Sequence, residues 1–217
     1  MLFKNRNDAA VKLAKMLHRF TNVDGVVLGV PRGGVPIAYE IARELNLPLE
    51  VILSKKIGHP LNPEFAIGSV SLDSVFIDPS IHNVSNLYID EEIDRISARL
   101  IEKYRAFMGN AKPLDLRNKT VIVADDGIAT GNTLLVIIDL IKNSSPSEII
   151  IAAPVSSESA FERLSREVDE IVCLEVTEHF RGVGEFYIDF TPTTDQEVVN
   201  LLAKARDQRS DTNLPLF

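Results

Sequence analysis

The chain has one cysteine, no tryptophan and only 6% aromatic residues among its 217 positions. Cys173 has no partner for an intrachain disulfide, so a reducing, cytoplasmic setting is expected. Long apolar runs are missing as well. The stretch IIIAAPV at 149–155 falls far short of the ~20 residues a membrane helix needs, and no membrane association is expected. The opening MLFKNRNDAAVKL lacks the apolar centre of a secretory signal. There is no basic excess: 23 Lys and Arg stand against 31 Asp and Glu, a net charge of −8. That balance disfavours non-specific nucleic-acid binding, which relies on neutralising phosphates. It leaves room for a small anion, because a pocket can be locally positive on an acidic protein. No His/Cys/Asp cluster has zinc spacing. His18 reads as a surface or edge residue and His59 as a candidate ligand contact, while His82 receives no assignment.

What is present is an ordinary globular mixture, 45% hydrophobic and 25% charged. At ~150 residues per domain the length suits one domain with an appendage, and a chain of this size folds without a metal or disulfide staple. Apolar periodicity alternates between two kinds of segment. Helices are predicted over 8–20, 35–45, 90–108, 131–142, 158–167 and 194–205. Buried strands are predicted over 25–30, 49–53, 120–124, 148–153 and 170–176. Between Gly58 and Ser85 the text turns Pro-, Gly- and Ser-rich, with β-like pieces at 66–71 and 75–77, and reads as a hairpin or mobile excursion. No repeat, low-complexity tract or interdomain linker interrupts the pattern. Parallel strands joined by crossover helices imply an α/β fold: a doubly wound, mainly parallel sheet with helices on both faces. Ligands then bind beyond the carboxyl ends of the strands.

The strongest local signal is VIVADDGIATGNT at 121–133. A buried strand delivers Asp125 and Asp126 at its end. Gly127, Ile128, Ala129, Thr130, Gly131, Asn132 and Thr133 then turn into a helix whose N-terminus points back at the same place. Glycines let the backbone approach a ligand, and successive N–H groups with the Thr130 and Thr133 hydroxyls form a phosphate nest. Asp-Asp-Gly alone is a common turn, and Thr-Gly-Asn-Thr alone a common cap. Joined, they place two carboxylates beside a phosphate cradle, which suits a ligand carrying both a phosphate and a diol or divalent metal. A phosphorylated sugar meets that requirement. No Gly-Lys-Ser/Thr follows at Walker spacing, and Gly182-Val-Gly184 does not open a helix after a strand, so those nucleotide sites are disfavoured.

Two further loops fall on the same predicted rim. Arg32, Gly33 and Gly34, in GVPRGGVPIA at 29–38, offer a second backbone anion site with one cation. Lys55 and Lys56, in SKKIG, add two ammonium groups, although an isolated lysine pair is more often only solvated.

The 121–133 segment resembles the phosphoribosyl pyrophosphate (PRPP) signature of type I phosphoribosyltransferases. The motif NPEFAIG at 62–68 is similar to a group of predicted, largely uncharacterised members of that family, and the resemblance extends to FRGVGEFYIDF at 180–190. It implies that Asp125 and Asp126 hold the ribose hydroxyls, one of them acting near the base, while 126–133 wraps the 5′-phosphate. Arg32, Gly33, Gly34, Lys55 and Lys56 would face the pyrophosphate. Lys55 stands where adenine-type members usually carry Arg. Mg²⁺ would be held mainly by PRPP oxygens, with Asp125 or Asp126 contributing directly or through water. A hood would cover the acceptor, with Phe186 or Tyr187 stacking on it and Arg181 nearby; for these aromatics plain core packing is an equal alternative.

The implied layout is a single domain with a core at about 24–56 and 118–175. A mobile loop and helix at 58–108, a hood and helix at 176–205 and a tail at 206–217 would surround it. The implied reaction displaces pyrophosphate from PRPP by a nitrogenous, heterocyclic acceptor, as in purine salvage and related nucleotide metabolism. No lysine follows Ala153-Pro154-Val155-Ser156, where hypoxanthine–guanine enzymes place one. The 58–85 segment contains no Lys or Arg, unlike the basic loop of orotate enzymes. Alternatives are a non-catalytic PRPP or nucleotide sensor on the same fold and, more remotely, a phosphohydrolase or pyrophosphokinase. The resemblance also implies a homodimer, for which the stripe on helix 90–108 and the tail 214–217 are candidate contacts.

Overall fold

The apolar runs form five parallel strands: β1 (Gly25–Gly29), β2 (Leu49–Val51), β6 (Thr120–Ala124), β7 (Glu148–Ser157) and β8 (Glu170–Thr177). The structure is a computed structural model that describes residues 1–72, 74–81 and 83–212, with the backbone alone for 210–212. His82 and the tail 214–217 therefore lie outside the described residues. Every residue of β1, β2 and β6 is buried, as expected of strands covered on both faces. Alternation divides their side chains between two cores. Val27, Ile122 and Ile150 join one, packed by α1 (Arg6–Met16), α2 (Gly34–Leu45), α3 (Asn86–Met108) and α6 (Asp195–Thr212). Val26, Leu28, Val121, Val123, Ile149 and Ile151 join the other, packed by α4 (Asn132–Lys142) and α5 (Glu158–Leu164). The doubly wound, mainly parallel architecture is as the periodicity implies.

The excursion after β2 is a separate antiparallel sheet of β3 (Lys55–His59), β4 (Asn62–Val70) and β5 (Val75–Ile77). Its tip is exposed, but Ile57, Ile67 and Val70 are fully buried and belong to the main core. The base of the hairpin is thus core, unlike the peripheral excursion expected. The stripe on α3 is buried within the chain as well: Ile96, Leu100, Tyr104 and Phe107 all join the same core. Only Ile101 from that stripe is markedly exposed, so the stripe itself offers little apolar surface to a second subunit. The Tyr104 hydroxyl also donates to the buried Glu50 carboxylate at 2.6 Å, tying α3 to β2.

Helix boundaries shift where capping outranks hydrophobic spacing. α1 starts at Arg6 because the Asn5 side chain accepts from the Asp8 N–H, and it stops at Met16 before a short 3-10 turn at His18–Phe20. α3 begins at Asn86, four residues before the predicted start at 90, capped by Ser85. The segment after β8 crosses to the N-terminus: Phe3 N–H donates to Phe186 O, and the N–H groups of Ile188 and Asp189 donate to Phe3 O and Lys4 O. This seam sits beside the carboxyl ends of β1 and β6.

Candidate active site

The strand order β2-β1-β6-β7-β8 places consecutive β1 and β2 side by side, while the chain later returns to the opposite edge of β1 as β6. β1 and β6 are therefore the point where the winding reverses and the following loops part, leaving a crevice. Their register pairs Gly29 with Ala124, and the Val30 N–H to Ala124 O bond of 3.0 Å carries the pairing one step further. Beyond it lie Arg32–Gly34 on one wall and Asp125–Thr133 on the other. The two most distinctive sequence motifs are thus brought together by the fold.

The walls touch. A Cβ on Gly33 would lie 2.0 Å from Asp126 Oδ2, and one on Gly34 would lie 2.5 Å from Ala124 O. Both positions exclude any larger residue for a steric reason. Gly131 meets a different condition: its φ of 69° lies in the left-handed region and turns the loop into α4. Among the described residues, the N–H groups of Arg32, Gly33, Ala129, Thr130, Gly131 and Thr133 have no protein acceptor. They lie at the starts of α2 and α4, and backbone N–H groups at a helix start favour anions. Ile128 is pinned between them by its N–H to Val155 O and the Ser157 N–H to Ile128 O. The Ser157 hydroxyl donates to Ala129 O at 2.6 Å.

The acidic pair is strongly constrained. Asp126 N–H donates to Asp125 Oδ1 at 2.9 Å. Arg6, 120 residues away in sequence, places Nε and Nη2 each 2.8 Å from Asp126 Oδ2. Its Nη1 donates to Thr191 O, and its guanidinium lies 4.0 Å over the Phe190 ring. Burial pushes the Asp125 carboxyl well above its usual range, with the neighbouring Asp126 charge adding to the effect. Burial also raises Asp126, while Arg6 opposes the rise. One carboxylate oxygen of each aspartate remains outside these contacts.

The other predicted residues are distributed less simply. Arg32 is half exposed and lies 3.7 Å from Asp195 at the start of α6. Lys56 is held by Glu64 across the hairpin at 2.9 Å, and Lys55 precedes it in the same strand, its charge helping to hold the Glu92 carboxyl below the usual range. Consecutive strand residues point to opposite faces. Lys55 and Lys56 are therefore presented to opposite sides of the hairpin. Tyr187 is buried, with its ring centroid 5.0 Å from Phe190 and 5.5 Å from Phe3. No free ring face is left for an acceptor, and its hydroxyl donates to Asp126 O at 2.7 Å. Tyr187 is a strut under the acidic pair. Phe186 packs on Phe180 at 5.3 Å, and Arg181 is exposed. The His59 ring accepts from Leu61 N–H and so shapes the hairpin turn. Cys173 is partly buried, its thiol pushed up to about 11 by burial, which makes it a poor nucleophile.

Three contributors escaped sequence reading. Arg6 carries no local motif. Arg163 of α5 donates to Thr130 O and, at 2.8 Å, to Asn132 Oδ1, bracing the outer edge of the 125–133 loop. Lys103 of α3 reaches the same Asp195 carboxylate as Arg32.

Comparison with known proteins agrees with this fold. The family described as "Phosphoribosyl transferase domain" matches residues 2–191. The chain belongs to that family. A Mycobacterium tuberculosis protein provisionally named a phosphoribosyl transferase is 34% identical over 210 residues, covering 94% of this chain and 47% of its own length. The chain thus spans about half the length of the curated relatives it matches. A crystal structure from Thermus thermophilus superposes with a TM-score of 0.85 at 33% identity, covering 94% of this chain and 99% of that one. A ribose-phosphate pyrophosphokinase from Pyrococcus furiosus is 35% identical over 60 residues, 27% of this chain and 22% of its own. Family membership is carried by nearly the whole fold rather than by the 121–133 motif alone.

Proposed function

We propose that the protein transfers the 5-phosphoribosyl group of PRPP to a nitrogenous, heterocyclic acceptor and releases pyrophosphate. One observation carries this reading: the Gly33–Asp126 contact holds two anion-binding loops and a carboxylate pair around a single crevice. A ligand with a phosphate at one end, a diol in the middle and a diphosphate at the other matches that order. The N–H groups of 129–133 receive the 5-phosphate, Asp125 and Asp126 the ribose hydroxyls, and Arg32–Gly34 the diphosphate. Nitrogen attack at C1 forms the C–N bond as the C–O bond to pyrophosphate breaks, and the attacking nitrogen loses its proton. The intervening state is oxocarbenium-like. The chain's task is to hold the ribose in line and to stabilise charge on the departing oxygens.

Among the described residues no three His, Cys, Asp or Glu side chains cluster in a way that would hold a metal. One remaining oxygen on each aspartate suits Mg²⁺ that is bound chiefly through substrate oxygens. Asp125 and Asp126 would be its protein contacts, and the ion would supply countercharge to the diphosphate. A homodimer, a cytoplasmic location and a place in nucleotide metabolism complete the proposal.

The test is a panel of purines, pyrimidines and smaller heterocycles incubated with PRPP and Mg²⁺, reading pyrophosphate. Release that depends on one class of acceptor supports transfer and names the acceptor. Release that is independent of every acceptor, or absent throughout despite PRPP binding, contradicts it.

A further inference from the structure

Asp195 stands in a place that the proposed reaction does not explain. It opens α6, and its Oδ1 lies 3.7 Å from Arg32 Nη1 and 3.9 Å from Lys103 Nζ. The three residues come from separate elements: the loop after β1, the latter half of α3, and the first turn of α6. A Thr194–Glu197 capping pair fixes that turn: Thr194 N–H donates to Glu197 Oε2 at 2.7 Å, and Glu197 N–H donates to Thr194 Oγ1 at 3.1 Å. The carboxylate is therefore presented from a rigid start of helix. All three side chains are about half exposed, and both ion pairs are long. Contacts of this kind are weak and easily exchanged. Beside them, the N–H groups of Arg32 and Gly33 are without a protein acceptor among the described residues.

A helix N-terminus favours an acidic residue through its dipole, and that alone would account for a carboxylate at this position. It does not account for two cations from other elements converging on one of its oxygens. We propose that Lys103 joins Arg32 as a cation of the diphosphate site, and that Asp195 is an internal anion which occupies both until a diphosphate displaces it. The inference rests on the reading of the 31–34 loop as the diphosphate wall and adds to it a residue and a competition. Lys103 adds a positive charge from α3 to the one that Arg32 brings to this wall.

The experiment is calorimetric titration of the full chain with inorganic pyrophosphate and Mg²⁺, and separately with ribose 5-phosphate. Wild type is compared with K103M and D195N. Met keeps the length of Lys without its charge, and Asn keeps the shape of Asp. Removing one partly exposed charge contact should weaken pyrophosphate binding about five-fold in K103M, and removing the competitor should tighten it by about the same factor in D195N. Ribose 5-phosphate affinity should stay the same in both variants, which a folding defect would not allow. Unchanged pyrophosphate affinity in either variant, or parallel loss for both ligands, overturns the proposal. If wild type binds ribose 5-phosphate but not pyrophosphate, this proposal fails while the sugar-phosphate site stands. If it binds neither, both readings fail together.

Discussion

Gly33 and Asp126 impose the tightest steric condition in the crevice, because the carboxylate rests where any side chain at 33 would have to be. A contact that close makes the two loops one unit, so neither can be altered without moving the other. Asp125 carries a different cost. Its carboxyl is raised by burial and by the adjacent charge of Asp126, so the folded state takes up a proton more readily than the unfolded chain. At neutral pH the ionised group opposes folding. As pH falls through its folded value toward the ordinary carboxylate range, protonation relieves that opposition. Asp125→Asn should therefore raise the melting temperature at neutral pH, and the gain over wild type should shrink as the pH is lowered. Thermal melts across that range check the sign, and a variant less stable than wild type at neutral pH would contradict it. The same substitution should weaken sugar-phosphate binding, since the group that opposes folding is one the proposed ligand needs.

At the scale of elements, the crevice depends on a seam formed by residues far apart in the chain. Phe3, Tyr187 and Phe190 pack together, Arg6 lies on Phe190 and grips Asp126, and the Tyr187 hydroxyl supports the Asp126 carbonyl. Tyr187→Phe preserves the ring packing and deletes one hydrogen bond. It should cost about 1 kcal/mol of unfolding free energy and weaken ribose 5-phosphate binding. Urea unfolding with an unchanged m-value would report the first effect; equal stability would show that the hydroxyl supports nothing. This seam was not legible in the sequence. Arg6 and Asp126 meet only because the fold closes, and an aromatic at 187 reads equally well as a ligand platform or as packing. The parallel strands were legible because burial on both faces leaves runs such as Val26–Leu28 and Val121–Val123 with no polar residue to blur them. β4 was harder to read, since its outer half, Asn62–Ala66, is exposed and carries no alternation. Its inner half holds two of the hairpin's buried core residues, Ile67 and Val70.

For the whole molecule, the acidic total of −8 coexists with a crevice that the proposed function fills with an anionic ligand. Backbone N–H groups at two helix starts supply much of the attraction there without changing the formal charge. The positions of both loops were recoverable from sequence because each motif sits directly after a buried strand. Arg32 was recoverable with its loop, but Lys103 and Arg163 were not, because they are supplied by helices whose local sequence has no reason to reveal a ligand. The most direct measurement is a crystal structure of the protein with PRPP and Mg²⁺. The account predicts the 5-phosphate against the N–H groups of 129–133, the ribose hydroxyls on Asp125 and Asp126, and the diphosphate against Arg32–Gly34. PRPP bound away from the β1–β6 crevice, or a crevice still empty at saturating PRPP, would contradict it.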